Sequence, residues 1–113
     1  LDFDLLIISI HWGHEYMDSP SIKQVKLARS LIDEGADIIM GHHPHVIQGV
    51  ERYNKGLIAY SLGNFLFDDH RDKSKRTFIL SLDLSSKGKI INYETLPVFQ
   101  REFPKLLRSL KKT

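Results

Sequence analysis

The sequence predicts an α/β fold: a βαβ unit followed by β-hairpins and a short C-terminal helix. Three observations carry this. Two apolar runs, Leu5-Leu6-Ile7-Ile8-Ser9-Ile10 and Ile38-Ile39-Met40, flank a segment with helical spacing. Both runs lead into loops rich in histidine. Further on, alternating segments are separated by turn-forming residues.

Asp4 to Ile10 is continuously apolar rather than alternating, which suits a strand covered on both faces, as in a parallel sheet. Residues 11–19 form a loop. Ser19-Pro20-Ser21 opens a helix, with Ser19 as N-cap and Pro20 at the first helical position, or with Ser21 as cap and Gln24 completing a capping box. Val25, Ala28, Leu31 and Ile32 make one apolar helical face, and Gly35 ends the helix. Asp37 to Met40 is the second strand, parallel to the first through a right-handed crossover. Val46 to Tyr53 and Leu57 to Leu62 pair as a hairpin around Asn54-Lys55-Gly56. Asp68 to Lys75 is a polar loop containing His70, which reads as solvated. Thr77 to Leu84 and Lys89 to Val98 form a second hairpin around Ser85-Ser86-Lys87-Gly88. After Pro104, the stripe Leu106, Leu107, Leu110 marks a basic helix that docks on the sheet.

At 113 residues the chain is one domain at most. A hydrophobic share of 42% and a charged share of 27% are those of an ordinary globular chain. The net charge of +2 is too weak to argue for nucleic acid as a partner. The absence of cysteine excludes disulfides and thiolate ligands. No apolar run approaches the ~20 residues of a membrane span. The chain begins at Leu1 and enters a buried-type strand almost at once, which predicts a piece of a longer protein. The alternative is a processed chain that is complete as it stands.

In parallel α/β sheets, ligands bind outside the carboxyl ends of the strands. His11 follows one such end; His42, His43 and His45 follow the other. A βαβ unit puts both ends on one edge, and adjacent strands lie ~4.8 Å apart. A lone histidine is more often structural, but four confined to two strand ends point to a metal or catalytic site. Neutral imidazole suits zinc, iron, copper and nickel. Asp37 stands at the opposite end of its strand and is excluded. His14, beyond Gly13, either joins the site or points to solvent. Glu15 fits three roles: ligand, acid/base group or surface carboxylate. Trp12 reads as a pocket wall. No Asp-x-His or Gly-Asp-x-x-Asp segment is present, so the imidazole-rich half of a two-metal site stands without its carboxylate half.

Four segments, Ser9-Ile10-His11-Trp12-Gly13-His14-Glu15-Tyr16, Gly35-Ala36-Asp37, Gly41-His42-His43-Pro44-His45-Val46-Ile47-Gln48-Gly49 and Tyr60-Ser61-Leu62-Gly63-Asn64-Phe65, resemble in order and spacing the CapA family of capsule or poly-γ-glutamate biosynthesis proteins, relatives of the calcineurin-like metallophosphoesterases. The resemblance implies that residues 1–113 are a single partial domain, the C-terminal portion of a metallophosphatase-like α/β/β/α sandwich. It implies divalent metal ions, one or two, with Mn, Fe and Zn all open. His11 falls at the isolated histidine of the penultimate motif, and His43-Pro44-His45 matches the final His-x-His motif. His42 stands where that motif has glycine and is held as a reserve ligand. Glu15 and His14 are the candidate catalytic, acid/base groups. Asn64 either borders the pocket or serves a turn.

Two functions follow as expectations. The first is a metal-dependent hydrolase of the phosphoesterase type, acting on a phosphoester or an anionic capsule polymer, its dinuclear centre completed by a missing N-terminal half or a complementary chain. The second is a non-enzymatic subunit of capsule synthesis or export that binds the polymer through a basic rim drawn from Lys23, Lys26, Arg29, Lys73, Lys75 and Arg76. A truncated, inactive chain is the third alternative. The resemblance also implies the outer face of the cell envelope as location.

Overall fold

The computed structural model describes residues 2–67 and 71–100. It shows a four-stranded sheet and a separate two-stranded hairpin, with one α-helix. The strands are β1 (Ile7–His11), β2 (Ile38–His42), β3 (Ile47–Tyr53) and β4 (Gly56–Leu62), in the order β1-β2-β4-β3. Helix α1 (Ile22–Asp33) joins β1 to β2, which pair in parallel from Ile7↔Ile38 to His11↔His42. β4 pairs in parallel with the other side of β2 and antiparallel with β3. The hairpin turn therefore returns the chain to the middle of the sheet.

Ser21 is the N-cap of α1, and the capping box is complete: Gln24 N–H donates to Ser21 Oγ at 3.2 Å, and Ser21 N–H donates to Gln24 Oε1 at 2.9 Å. Ser19 is not the cap. The buried face of α1, with Ala28 and Ile32, packs with Trp12, Ala36, Ile39, Ile58 and Tyr60 on one side of the sheet. Two partly buried strand residues, Ile8 and Ile10, join this core. Asp37 bolts the start of the parallel pair: Leu6 N–H donates to its Oδ2 at 2.8 Å, and its own N–H donates to Leu6 O at 2.9 Å.

The expectation of β1 covered on both faces is not met among the described residues. β1 is the sheet edge, and Ile7 on the face away from α1 is 47% exposed. Part of that face is approached by the hairpin of β5 (Arg76–Leu84) and β6 (Ile90–Phe99). The hairpin is tied to the sheet by a bridge between Gly63 and Thr77 and by the Thr77 hydroxyl donating to Leu62 O. A cavity of about 370 Å³ lies between the two, lined by Met40, His42, Phe65, Phe78 and Leu82 among others.

Part of the expected polar loop is a single 3₁₀ turn, Asp72–Lys75. His70 and the C-terminal helix with Leu106, Leu107 and Leu110 lie outside the described residues. No helix among the described residues is long and apolar enough to cross a membrane.

Candidate metal centre at the parallel strand ends

The two histidine-bearing strand ends lie side by side. His11 and His42 are register partners, and Trp12 N–H donates to His42 O at 3.0 Å. The following loops are tied in turn: Tyr16 N–H donates to Pro44 O at 2.8 Å. β2 runs two residues beyond its expected end at Met40, so His42 is still strand and His43 begins the loop.

Local backbone geometry then turns the side chains together. His43, His45 and Tyr16 all have positive φ, at 103°, 61° and 60°. Residues other than glycine rarely adopt such values, and they concentrate at functional sites. The result is a cluster of Glu15, His43 and His45 whose candidate ligand atoms all lie within 4.8 Å of one another. A shared ion at bonds of about 2.0–2.2 Å asks for separations at or below roughly 4.4 Å. Movements of a few tenths of an ångström close the set. Two imidazoles and one carboxylate suit a divalent transition-metal ion, so the residues present fit such an ion.

Each remaining candidate has a distinct place. The His11 ring stands 4.5 Å from that of His43, centroid to centroid, beside the cluster but outside the three-residue set. His42 Nε2 lies 3.0 Å from Ser9 Oγ, and the side chain lines the cavity under the β5–β6 hairpin, outside the three-residue set. His14 is exposed and is not a member of the set. Trp12 is not a pocket wall: its ring is buried in the core beneath α1, and its indole N–H donates to Tyr60 O at 2.9 Å. Strand alternation sends Trp12 to the opposite face from His11.

Asn64 borders the site, since its Oδ1 lies 2.9 Å from His45 Nδ1. It is 8% exposed, and its Nδ2 is buried with no hydrogen-bond partner among the described residues. The Tyr16 and Phe67 rings flank His45 at centroid distances of 6.0 and 5.4 Å.

Two residues outside the sequence-based site list hold the loop that carries Glu15. Gln24, already engaged in the helix cap, donates from Nε2 to Gln48 Oε1 at 2.9 Å; Gln48 donates from its own Nε2 to Met17 O at 3.0 Å. Both glutamines are buried. The signal for Gln24 was its capping-box spacing. For Gln48 it was its place in the family-resembling segment Gly41 to Gly49, which assigned it no role.

The expected basic rim is largely dispersed. Arg29 makes a bidentate pair with Glu51, at 2.6 and 3.1 Å, on the helix side of the molecule. That pair holds the Glu51 carboxyl below its ordinary value, with a further contribution from the Tyr60 hydroxyl; burial and the Glu51 contact push Tyr60 upward. Lys75 is 3.8 Å from Asp72. Lys73 does reach the site loop, donating to Tyr16 O at 2.6 Å. Arg71, which was not among the expected rim residues, lies over the Tyr16 ring at 4.1 Å. Both cations thus lie against Tyr16, whose ring stacks on His45, and Lys73 also stands 3.6 Å from Asp18.

With this geometry in hand, the comparisons with known proteins are specific. The sequence model of a family described as "Bacterial capsule synthesis protein PGA_cap" matches residues 2–69. The chain is 46% identical over 88 residues to the capsule biosynthesis protein CapA of Bacillus anthracis, covering 78% of this chain and 21% of that protein. It is 44% identical over 85 residues to the PGA biosynthesis protein CapA of Bacillus subtilis, covering 75% and 22%. A probable polyglutamine synthesis accessory protein of Mycobacterium tuberculosis is 28% identical over 103 residues, with 84% of this chain and 27% of that protein covered. The chain thus spans about a fifth to a quarter of the length of these relatives.

Proposed function

This chain belongs to the bacterial capsule synthesis family PGA_cap, and from that premise we propose that it forms the imidazole-rich part of a metal-dependent, phosphoesterase-like site used in making a capsule or poly-γ-glutamate polymer. The observation that carries the reading is the convergence of Glu15, His43 and His45 at the ends of two parallel strands.

In this reading Glu15, His43 and His45 hold a divalent ion. Of the three roles open to Glu15, ligand is the one its position favours. His11 stands ready for a second ion or for the substrate. The ion, when bound, supplies a polarised water and a positive charge for an anionic transition state. This chain's own residues do the rest. His43 and His45 are held by their loop, Asn64 stands at Nδ1 of His45, and Lys73 and Arg71 hold Tyr16 beside the set. His14, exposed and outside the set, takes no part in this reading.

The parent protein's other segments complete the domain, a metallophosphatase-like sandwich of which residues 1–113 are one part, and supply any further carboxylates. Its place is the cell envelope, as the names of the capsule-synthesis relatives suggest. The non-enzymatic reading is polymer binding in synthesis or export; the positive groups nearest the site, Lys73 and Arg71, lie against Tyr16, with Lys73 also 3.6 Å from Asp18.

Metal titration of the chain by calorimetry, paired with a phosphodiester assay on the full-length parent with added manganese, tests this. Stoichiometric metal that disappears in His43→Ala and His45→Ala, with metal-dependent turnover, supports the hydrolase. Metal binding without turnover favours polymer binding. No stoichiometric metal contradicts the site.

A further inference from the structure

We propose that Gln100, the residue that follows β6, is a positioning residue for the candidate metal set: it clamps the Phe67 backbone, and the Phe67 ring in turn holds His45 in place. The inference rests on the metal reading. It extends the site to the end of the β5–β6 hairpin, beyond the residues 2–69 that match the family model.

β6 ends at Phe99, which pairs with Arg76 at the start of β5. Gln100 carries the ladder one step further, its N–H donating to Lys75 O at 2.7 Å. Its side chain reaches a different segment. Phe67 N–H donates to Gln100 Oε1 at 3.2 Å, and Gln100 Nε2 donates to Phe67 O at 2.6 Å. The side-chain amide takes the part that the peptide group of a neighbouring strand would play. The two bonds also settle its orientation, since the reversed amide would set donor against donor and acceptor against acceptor. Gln100 is 5% exposed, so water is a poor substitute for either bond.

Phe67 is the other end of the link. Its ring centroid lies 5.4 Å from that of His45, at an interplanar angle of 38°. Phe67 is half exposed, so burial of its side chain holds the ring only in part, and the backbone clamp supplies the remaining constraint. His45 needs support of this kind. Its φ of 61° is unfavourable for a residue other than glycine, and such a conformation persists only where its surroundings over-determine it. The candidate ligand atoms lie within 4.8 Å of one another, so a small displacement of the His45 ring takes it out of reach of a shared ion. Gln100 is no member of that set and acts on it through Phe67.

Two readouts test this. Proton NMR of the metal-free chain follows the His45 ring protons, which feel the Phe67 ring current. Cobalt(II) titration with visible absorption gives the metal affinity. Gln100→Ala and Phe67→Ala should both move the His45 ring resonances, and each should weaken cobalt binding by about three- to tenfold. The double variant should bind no more weakly than Phe67→Ala, because the two residues lie on one path. General loosening of the hairpin would instead add a second loss. Gln100→Glu keeps the side-chain length and the acceptor for Phe67 N–H but sets an oxygen against Phe67 O. It should give the same results, and it replaces the alanine variant should that one not fold. Unmoved His45 resonances, parent cobalt affinity in the Gln100 variants, or additive losses in the double variant overturn the proposal. A parent chain that binds no cobalt, with the His45 resonances moving as expected, overturns the metal reading and this proposal with it.

Discussion

At the scale of single residues, the site depends on three side chains presented from strained or tightly held backbone. His43 and His45 carry positive φ, and Glu15 precedes Tyr16, which does the same. Glu15→Gln keeps the shape of the side chain and removes its charge. We expect it to weaken divalent metal binding by about tenfold or more, with the circular dichroism spectrum unchanged; equal affinity in both forms would remove Glu15 from the ligand set. A second residue-scale prediction concerns pH. Glu51 is held below its ordinary value of 4.5, first by the Arg29 hydrogen bonds and then by the Tyr60 hydroxyl. Its contribution to stability is therefore complete above about pH 4.5 and is lost as pH falls through the lower folded value. Urea denaturation as a function of pH should show this acid limb, and Glu51→Gln should flatten it. The histidines of the site were legible in the sequence because imidazoles crowded two apolar strand ends. The resemblance had already singled out His43 and His45 over His42; that Glu15 joins them while His11 stands outside the set was not legible, because it depends on the loop φ values at Tyr16, His43 and His45.

At the scale of elements, the parallel pairing of β1 and β2 brings the two loops together, and the glutamines hold them there. Trp12 crosses beneath β2 to reach Tyr60 O on β4, and Gly41 leaves it room: a Cβ there would stand 2.5 Å from the indole nitrogen and closer still to the Tyr60 carbonyl oxygen. Gly41→Ala is expected to destabilise the chain by about 1–3 kcal/mol, measured by chemical denaturation, because backbone on one side cannot give way. A loss near zero would show that the indole moves freely. Gln48→Ala breaks the link between β3 and Met17 O. It leaves a buried Gln24 amide without its acceptor, and a loss of about 1–3 kcal/mol follows. Weaker metal binding should accompany it, since the Glu15 loop is released. The βαβ unit and both hairpins were legible, since apolar period, caps and turn residues agree locally. The burial of Trp12 was not, because it depends on which face of the sheet α1 covers.

At the scale of the whole molecule, the core lies between α1 and one face of the sheet, with β2 and β4 at the centre. β1 is an edge among the described residues, and the β5–β6 hairpin is joined to the sheet mainly around Gly63, Thr77 and Leu62. Hydrogen exchange should therefore show strongest protection in β2 and β4, with β5 and β6 opening at lower free energy. Uniform protection across both sheets would contradict this division. The insertion of β4 between β2 and β3 was not legible from local pattern, because the order of strands is settled by long-range pairing. The continuous apolarity of β1 suggested two covered faces, yet Ile7 is half exposed here. In a protein about three and a half times as long as this chain, as the Bacillus relatives are, further elements are available to cover that edge. The central claim remains the joint holding of one ion by Glu15, His43 and His45. Anomalous diffraction at the zinc edge from zinc-loaded crystals of the chain tests it most directly. The account predicts a single strong peak at bonding distance from all three side chains; a peak at His42 and Ser9 instead, or none at the loop cluster, would contradict it.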